Sequence, residues 1–475
     1  MSKIGSVMTI GKRSMMNSQN ALQTVSHNIA NKDTEGFSRQ RVEITTSEPT
    51  GFGQTRMGQG AYTKAVRRIQ NPFLEKQIQT ESNELGFGEG QTENLSRVEE
   101  VFNEQVNKGL NRFLSDFFNA FRELANNPEN TATRTLVKET AEFATQDFKR
   151  VNRQLTDIQK DIDQQLISNI SEINGMLQEV ASLNQKIELV ENTGAQANDE
   201  RDRRDLLLKN LSKFVNIRWG ESDTGQVTVT AGNTAVLVSG YEASELKAVA
   251  TPEREGKREG RMDIMYKASQ GKSWVNVTKQ LTGGTIGGAI DVRDNVVNGL
   301  LDRMDDLAYT MVKNVNAIHQ RGYNLHGQTG VQFFSDLGTK RDASEMIDLN
   351  HKIYQDVSSI ATAAIPNAPG DNRIANVISN LQYQKILDND KSTFDDAYNG
   401  MVGELAVVTK KSRMVTEHQN NIVSQLNKVR DSISGVSLDE ETVKMIEFQK
   451  AFDASARVIR TADEMLDTVL NLKRY

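Results

Sequence analysis

TVKMIEFQKAFDASARVIRTADEMLDTVLN, residues 442–471, contains neither proline nor glycine. Apolar or small residues fall at Met445, Phe448, Phe452, Ser455, Ile459, Ala462, Leu466 and Val469. Steps alternating between three and four draw a narrow stripe down one face of a helix, the seam of a helix packed on another. Ser437 stands at the N-cap position with Glu440 three residues on. Asp439, Glu440 and Glu441 crowd the first turn, where the positive end of the helix dipole favours acids. The opening of the chain repeats the pattern at Ile4, Met8, Gly11, Met15, Ser18, Leu22, Val25 and Ile29. Both ends are therefore expected to be thin amphipathic helices without a core of their own, each needing the other or a neighbouring molecule.

Inward from the ends, helical spacing holds from Phe73 to about Asn126, with an expected weak point at Gly86, Gly88 and Gly90. Asn126 to Asn130 signals a stop and restart. From Thr131 to Glu191 an apolar stripe runs from Leu155 to Val190 with only Gly175 inside it, predicting a rod of about 90 Å at 1.5 Å per residue. The cluster Asn198 to Asp205 is expected to be a solvated helix face, its charges paired four apart, or else an ion-pair patch between subunits. At Phe214 the period changes to two: Val215, Ile217 and Trp219, then Val227 and Val229, then Ala235 and Leu237 alternate between glycine-marked turns. Glu253 to Arg261 is expected to be an exposed loop, and further strands are expected near Met262 to Tyr266 and Trp274 to Val277. Residues 211–284 thus form a β-rich insertion in a mainly α chain. Helical spacing resumes from Ile290 to Ile318, and a last long helix is expected from about Thr393 to Ser434.

The chain has 475 residues, 57 basic and 63 acidic, for a net charge of −6. Mixed charge of this kind gives no footprint for nucleic acid. An apolar fraction of 37 % and a mean hydropathy of −0.55 are lean for a compact enzyme of this size and suit long helices with thin stripes. There is no cysteine, which removes thiol and cysteine–metal chemistry. No stretch reaches the ~18–20 apolar residues of a membrane span, and the N-terminus lacks the apolar core of a signal peptide. His27, His319, His326, His351 and His418 form no ligand pair at helical spacing. Asp388 to Ser392 opens like a calcium loop but has Thr393 where that loop needs glycine, so helix capping is the expected role. Gly283 to Gly288 lacks the Lys-Ser/Thr ending of a phosphate loop and reads as a turn. No catalytic residue, cofactor or metal ligand is expected, and the chain is read as a non-enzyme.

Two end segments carry a resemblance. Ala21-Leu22-Gln23-Thr24-Val25-Ser26-His27-Asn28-Ile29-Ala30-Asn31, with Thr34, Gly36-Phe37 and Ser38-Arg39-Gln40, resembles the N-terminal signature of the bacterial flagellar axial proteins, the rod, hook and hook-associated family. Gly435 to Glu441, Ile446 to Phe452 and Ala462 to Asp467 resemble its C-terminal signature. Glu35, Phe37 and His27 depart mildly from the residues usual there. In the middle, Gly109-Leu110 through Phe113, Leu124 to Pro128, Asn198 to Leu207, Asp291 to Asp294 and Val315 to His319 resemble the hook-associated members that form the hook–filament junction.

The resemblance implies a nested architecture: residues 1–45 with 436–475 as an inner assembly domain, 46–210 with 285–435 as a long-helix domain, and 211–284 as an outer β domain, one such domain instead of two. Leu22, Val25, Ile29, Phe448, Phe452, Ile459, Leu466 and Val469 would carry the inner contacts. The implied partners are further copies of the chain in a ring, the hook protein, a second junction protein and an export chaperone on the C-terminal helix. The implied location is the extracellular flagellum, reached through its own type III export channel. A rod or hook subunit, or a secreted helical effector of a related export system, are the alternatives.

Overall fold

Asn130 accepts the Ala132 amide at 2.8 Å and opens α4 (Thr131–Glu191), the 61-residue helix on which the rest of this computed structural model is hung. The structure describes residues 2–49, 57–103, 109–232, 234–250, 261–388 and 390–472. Asn389, in the stretch that opens like a calcium loop, and most of the loop expected from Glu253 to Arg261 lie outside them. The bounds of α4 are those its stripe predicts, and Leu155, Ile162, Leu166, Ile173, Leu177 and Val180 along it are fully buried.

Before α4 come α1 (Ser2–Ala30), a hairpin of β1 (Gln40–Thr46) and β2 (Ala61–Arg68), α2 (Pro72–Val101) and α3 (Leu110–Asn126). α3 lies against the first turns of α4, and α5 (Asn198–Phe214) folds back along its end. The β unit then forms two antiparallel sheets. One is β3 (Ile217–Glu221), β4 (Val227–Ala231), β5 (Ala235–Ser239) and β6 (Glu242–Ala243); the other is β7 (Glu245–Ala250), β8 (Met262–Lys267) and β9 (Val275–Asn276). Val227, Val229, Ala231 and Leu237 alternate inward and share one contiguous apolar core with α4. The fold is mainly α with a β-rich insertion, as the change of period at Phe214 predicts.

The return path is helical again: α6 (Gly284–Asp291) and α7 (Asn298–His319), joined by a π-helical segment over Val292–Val297. Three short helices follow, α8 (Ala343–Met346), α9 (His351–Gln355) and α10 (Arg373–Asn380). Here Phe333 and Phe334, 4.9 Å apart, pack on Phe117 and Phe121 of α3 with ring centroids 5.4–5.9 Å apart. The chain then enters α11 (Phe394–Ser434), capped by a reciprocal Thr393–Asp396 box, turns at Gly435 and ends in α12 (Leu438–Leu472).

Gly86, Gly88 and Gly90 do not break α2, which runs through all three. They are where three elements cross it. A Cβ at Gly86 would collide with the Lys213 carbonyl, one at Gly88 would meet Thr416 Oγ1 at 2.6 Å, and one at Gly90 the Thr285 carbonyl at 2.5 Å. From the other side, a Cβ at Gly288 would collide with the Phe87 carbonyl. The run Gly283 to Gly288, expected as a turn, is thus mostly the first turns of α6, kept small so that backbone meets backbone on α2. The roughly 1 kcal/mol that each glycine costs a helix is offset by close packing.

Candidate assembly interface

The stripes at the two ends of the chain pack on each other. Ser14 and Ser455 meet through their hydroxyls at 2.7 Å, and Asn28 Nδ2 donates to Glu441 Oε2 at 2.8 Å. A Cβ at Gly11 would lie 2.8 Å from Ile459 Cγ1. These contacts fix an antiparallel register in which Leu22 falls level with Phe448, and Ile4 with Leu466. Small residues set the spacing: Gly11, Ser18, Ala21, Ser455 and Ala462 are all buried. Of the expected contact residues, Val25 is buried, while Leu22, Ile29, Phe448, Phe452, Ile459 and Leu466 are half-buried. Val469 lies level with the very start of α1 and is 40 % exposed. Val443, Val458 and Met465 are 65, 43 and 53 % exposed. At 100° per residue they trace a second apolar line roughly a third of a turn from the seam. One helix pair therefore covers one stripe and leaves another open.

A polar joint ties this pair to the long helices. Asn28 Oδ1 accepts the Gln40 amide and its Nδ2 donates to the Gln40 carbonyl, both at 2.9 Å, so one side chain holds the start of β1 as a strand neighbour would. Arg39 Nε donates to Glu441 Oε1 at 2.8 Å and its Nη2 pairs with Glu440 at 2.9 Å. The Glu441 side chain is 1 % exposed, so its charge is answered by Arg39 and Asn28, with Lys444 Nζ at 3.6 Å, and not by water. Across β1, the Ser38 amide donates to Asp202 at 2.8 Å, and Arg68 Nη1 bridges Asp202 and Asp205 at 2.7 and 2.8 Å. Burial pushes the Asp202 carboxyl up from its ordinary range, against the pull of Arg68 and the Ser38 amide.

The charge cluster Asn198 to Asp205 is thus not a solvated face. Asn198, Asp202 and Arg204 are buried. Its charges pair away from their own helix: Arg201 with Glu191 and Glu221, Arg203 with Glu179, Arg204 with Glu221. Nothing in the spacing marks Arg68 or Glu441 as joint residues, because their partners lie more than a hundred positions away. The signal available was the polar Asn28, Arg39 and Glu441 inside end segments whose other residues follow a stripe.

Among the described residues, no group of three or more histidine, aspartate or glutamate side chains is placed to hold a metal ion. No helix among them is long and apolar enough to cross a membrane. His319 is a core residue, its Nδ1 2.7 Å from the Val331 carbonyl, and His326 pairs with Asp356 at 2.9 Å.

The model of the flagellar hook-associated protein FlgK helical domain matches residues 95–334, from the end of α2 through α7 to Phe334. The chain belongs to the FlgK family of flagellar hook-associated proteins. A second model, the C-terminal region of the flagellar basal body rod FlgEFG proteins, matches residues 431–472, which hold α12. The FlgK-like chain is 28 % identical to flagellar hook-associated protein 1 of Bacillus subtilis, over 97 % of this chain and 96 % of that protein. It is 25 % identical to the protein of the same name in Salmonella typhimurium, over 96 and 97 %. That alignment spans 548 positions, more than this chain has, so the Salmonella protein carries stretches absent here. The structure of the flagellar hook junction protein FlgK from Burkholderia pseudomallei superposes with a TM-score of 0.68 at 14 % identity, covering 75 % of this chain and all of that one. It shares the fold.

Proposed function

We propose that this chain is a structural subunit of the bacterial hook–filament junction, stacking on the hook and accepting the next junction protein and the filament. The observation that carries the reading is the pairing of the two chain ends in a FlgK-family protein, with Val443, Val458 and Met465 left uncovered on α12. A two-helix unit buries too little to stand alone, and identical neighbours in a closed or helical array supply the missing cover.

In this reading α1 and α12 with residues 1–45 and 436–475 make the inner assembly domain. Residues 46–210 and 285–435 make the long-helix layer, and 211–284 the outer β domain. Leu22, Val25, Ile29, Phe448, Phe452, Ile459, Leu466 and Val469 act twice: they hold the pair together and offer their remaining surface to neighbours. The subunit forms a ring, sits outside the cell after export through the flagellar channel, and acts without catalysis. Its partners are hook protein, a second junction protein, and an export chaperone that covers the α12 stripe before assembly.

Electron microscopy of cells lacking the gene, with an assay of flagellin in the medium, tests this. Complete hooks without filaments and flagellin lost to the medium are expected. Truncated hooks would move the chain to the rod or hook, and normal flagella would overturn the reading.

A further inference from the structure

Far from the chain ends, two exposed surfaces on the long-helix layer have opposite chemistry. The first is a groove of about 530 Å³ between α3 and the start of α4. Phe113 and Phe143, ring centroids 6.3 Å apart, form its floor with Leu136, and Asp116 and Glu123 stand on its rim. Phe143 is 51 % exposed although it belongs to the most apolar residue class. Of the cations on α3, Arg112 reaches Asp116 only at 4.0 Å, and Arg122 donates to Asn119 Oδ1 at 2.6 Å and to the Tyr383 hydroxyl at 3.1 Å, not to either acid. The second surface is the outer face of α11. Val407, Lys410, Lys411 and Met414 stand at i, i+3, i+4 and i+7, hence on one face. Val407 and Met414 are 67 and 62 % exposed. Neither lysine pairs with a described residue, whereas Glu404, one turn earlier, is held by Arg303 at 2.6 Å. Glu417 lies at the far end of the stripe.

We infer that the α11 stripe of one copy docks in the α3–α4 groove of the next, Val407 and Met414 on the phenylalanine floor and Lys410 and Lys411 against Asp116 and Glu123. An acidic rim around an apolar floor selects an apolar ridge flanked by cations, and this chain itself exposes one. The two patches differ, so the contact is heterologous and passes from copy to copy without closing on a dimer. Phe394 packs beside Phe118 of α3, ring centroids 5.8 Å apart. The stripe lies roughly 25 Å further along α11 at 1.5 Å per residue. Successive copies are therefore offset along the bundle axis, and the ring closes on this contact with its bundles tilted from the ring axis. The inference rests on the junction reading for its assembled state.

The absence of cysteine makes the test direct. Hook–filament structures are isolated from cells whose only copy carries Phe143→Cys and Met414→Cys, both at exposed positions, and are oxidised. A reducible ladder of multimers is expected, and neither single variant should give it. A double variant that is present in the structures yet stays monomeric overturns the contact while leaving the junction reading intact; absence of the protein from the structures overturns both. In parallel, Lys410→Glu with Lys411→Glu should cause loss of filaments, restored by adding Asp116→Lys with Glu123→Lys in the same chain. Failure of the second pair to restore them, with the thermal melt of the purified chain unchanged, also overturns it.

Discussion

Asn28 and Glu441 lie 413 positions apart in sequence, yet Asn28 Nδ2 donates to Glu441 Oε2 at 2.8 Å in a site closed to water. The same asparagine also satisfies the Gln40 amide and carbonyl. Replacing it with alanine leaves three buried polar groups short of a partner, at about 1–3 kcal/mol each where water cannot follow. Asn28→Ala is expected to raise hydrogen exchange at the start of β1 and of α12. Exchange in the middle of α4 should not change.

The seam depends on Gly11. A side chain there meets Ile459 Cγ1, and overpacking of this kind costs about 1–3 kcal/mol. Gly11→Leu should loosen the end pair despite leucine's better helix propensity, and Ile459→Ala in the same chain should recover part of the loss. A double-mutant cycle on the protease sensitivity of α12 reads the coupling.

Much of this was legible in the sequence, for identifiable reasons. The bounds of α4 follow from Asn130 and an unbroken stripe, and those of α11 from its apolar spacing; its cap, expected within Asp388 to Ser392, is Thr393. The two end stripes were legible, but not their antiparallel pairing, because the stripes alone left each end needing the other or a neighbouring molecule. The glycines of α2 were illegible because a glycine that breaks a helix and one that admits a crossing backbone look alike until the crossing element is known. β2 was missed because its exposed pattern, with Tyr62 outward and polar Thr63 and Lys64 beside it, buries too little to alternate clearly. The joint was missed because ion pairs such as Arg68–Asp202 join segments that only the tertiary fold brings together.

The glycine crossing gives a prediction of opposite sign to helix propensity. Gly90→Ala gains about 1 kcal/mol as a helix former. It also sets a Cβ 2.5 Å from the Thr285 carbonyl, a backbone atom that cannot rotate away. The steric cost of about 1–3 kcal/mol wins, so the urea midpoint of the purified chain should fall. A rise would contradict the crossing.

His319 supplies a pH dependence. Its Nε2 accepts the Ala361 amide at 2.8 Å, which leaves the proton on Nδ1, facing the Val331 carbonyl at 2.7 Å. Burial, with Arg134 nearby, lowers its pKa from 6.5 to about 4. Between these values the unfolded chain binds the proton and the folded chain does not, so stability is full above pH 6.5 and falls as pH drops towards 4. The loss from this group is about 3 kcal/mol. Denaturant unfolding at pH 7 and pH 4.5 should show it, and His319→Gln should flatten that part of the difference.

The most direct test of the paired ends uses Ser14 and Ser455, whose hydroxyls touch at 2.7 Å in a chain without cysteine. Ser14→Cys with Ser455→Cys, oxidised in isolated hook–filament structures, should give a disulfide within each chain, seen as a faster-migrating monomer that reverts on reduction. Disulfides formed only between chains, or thiols that stay free, would contradict the antiparallel pairing on which the account rests.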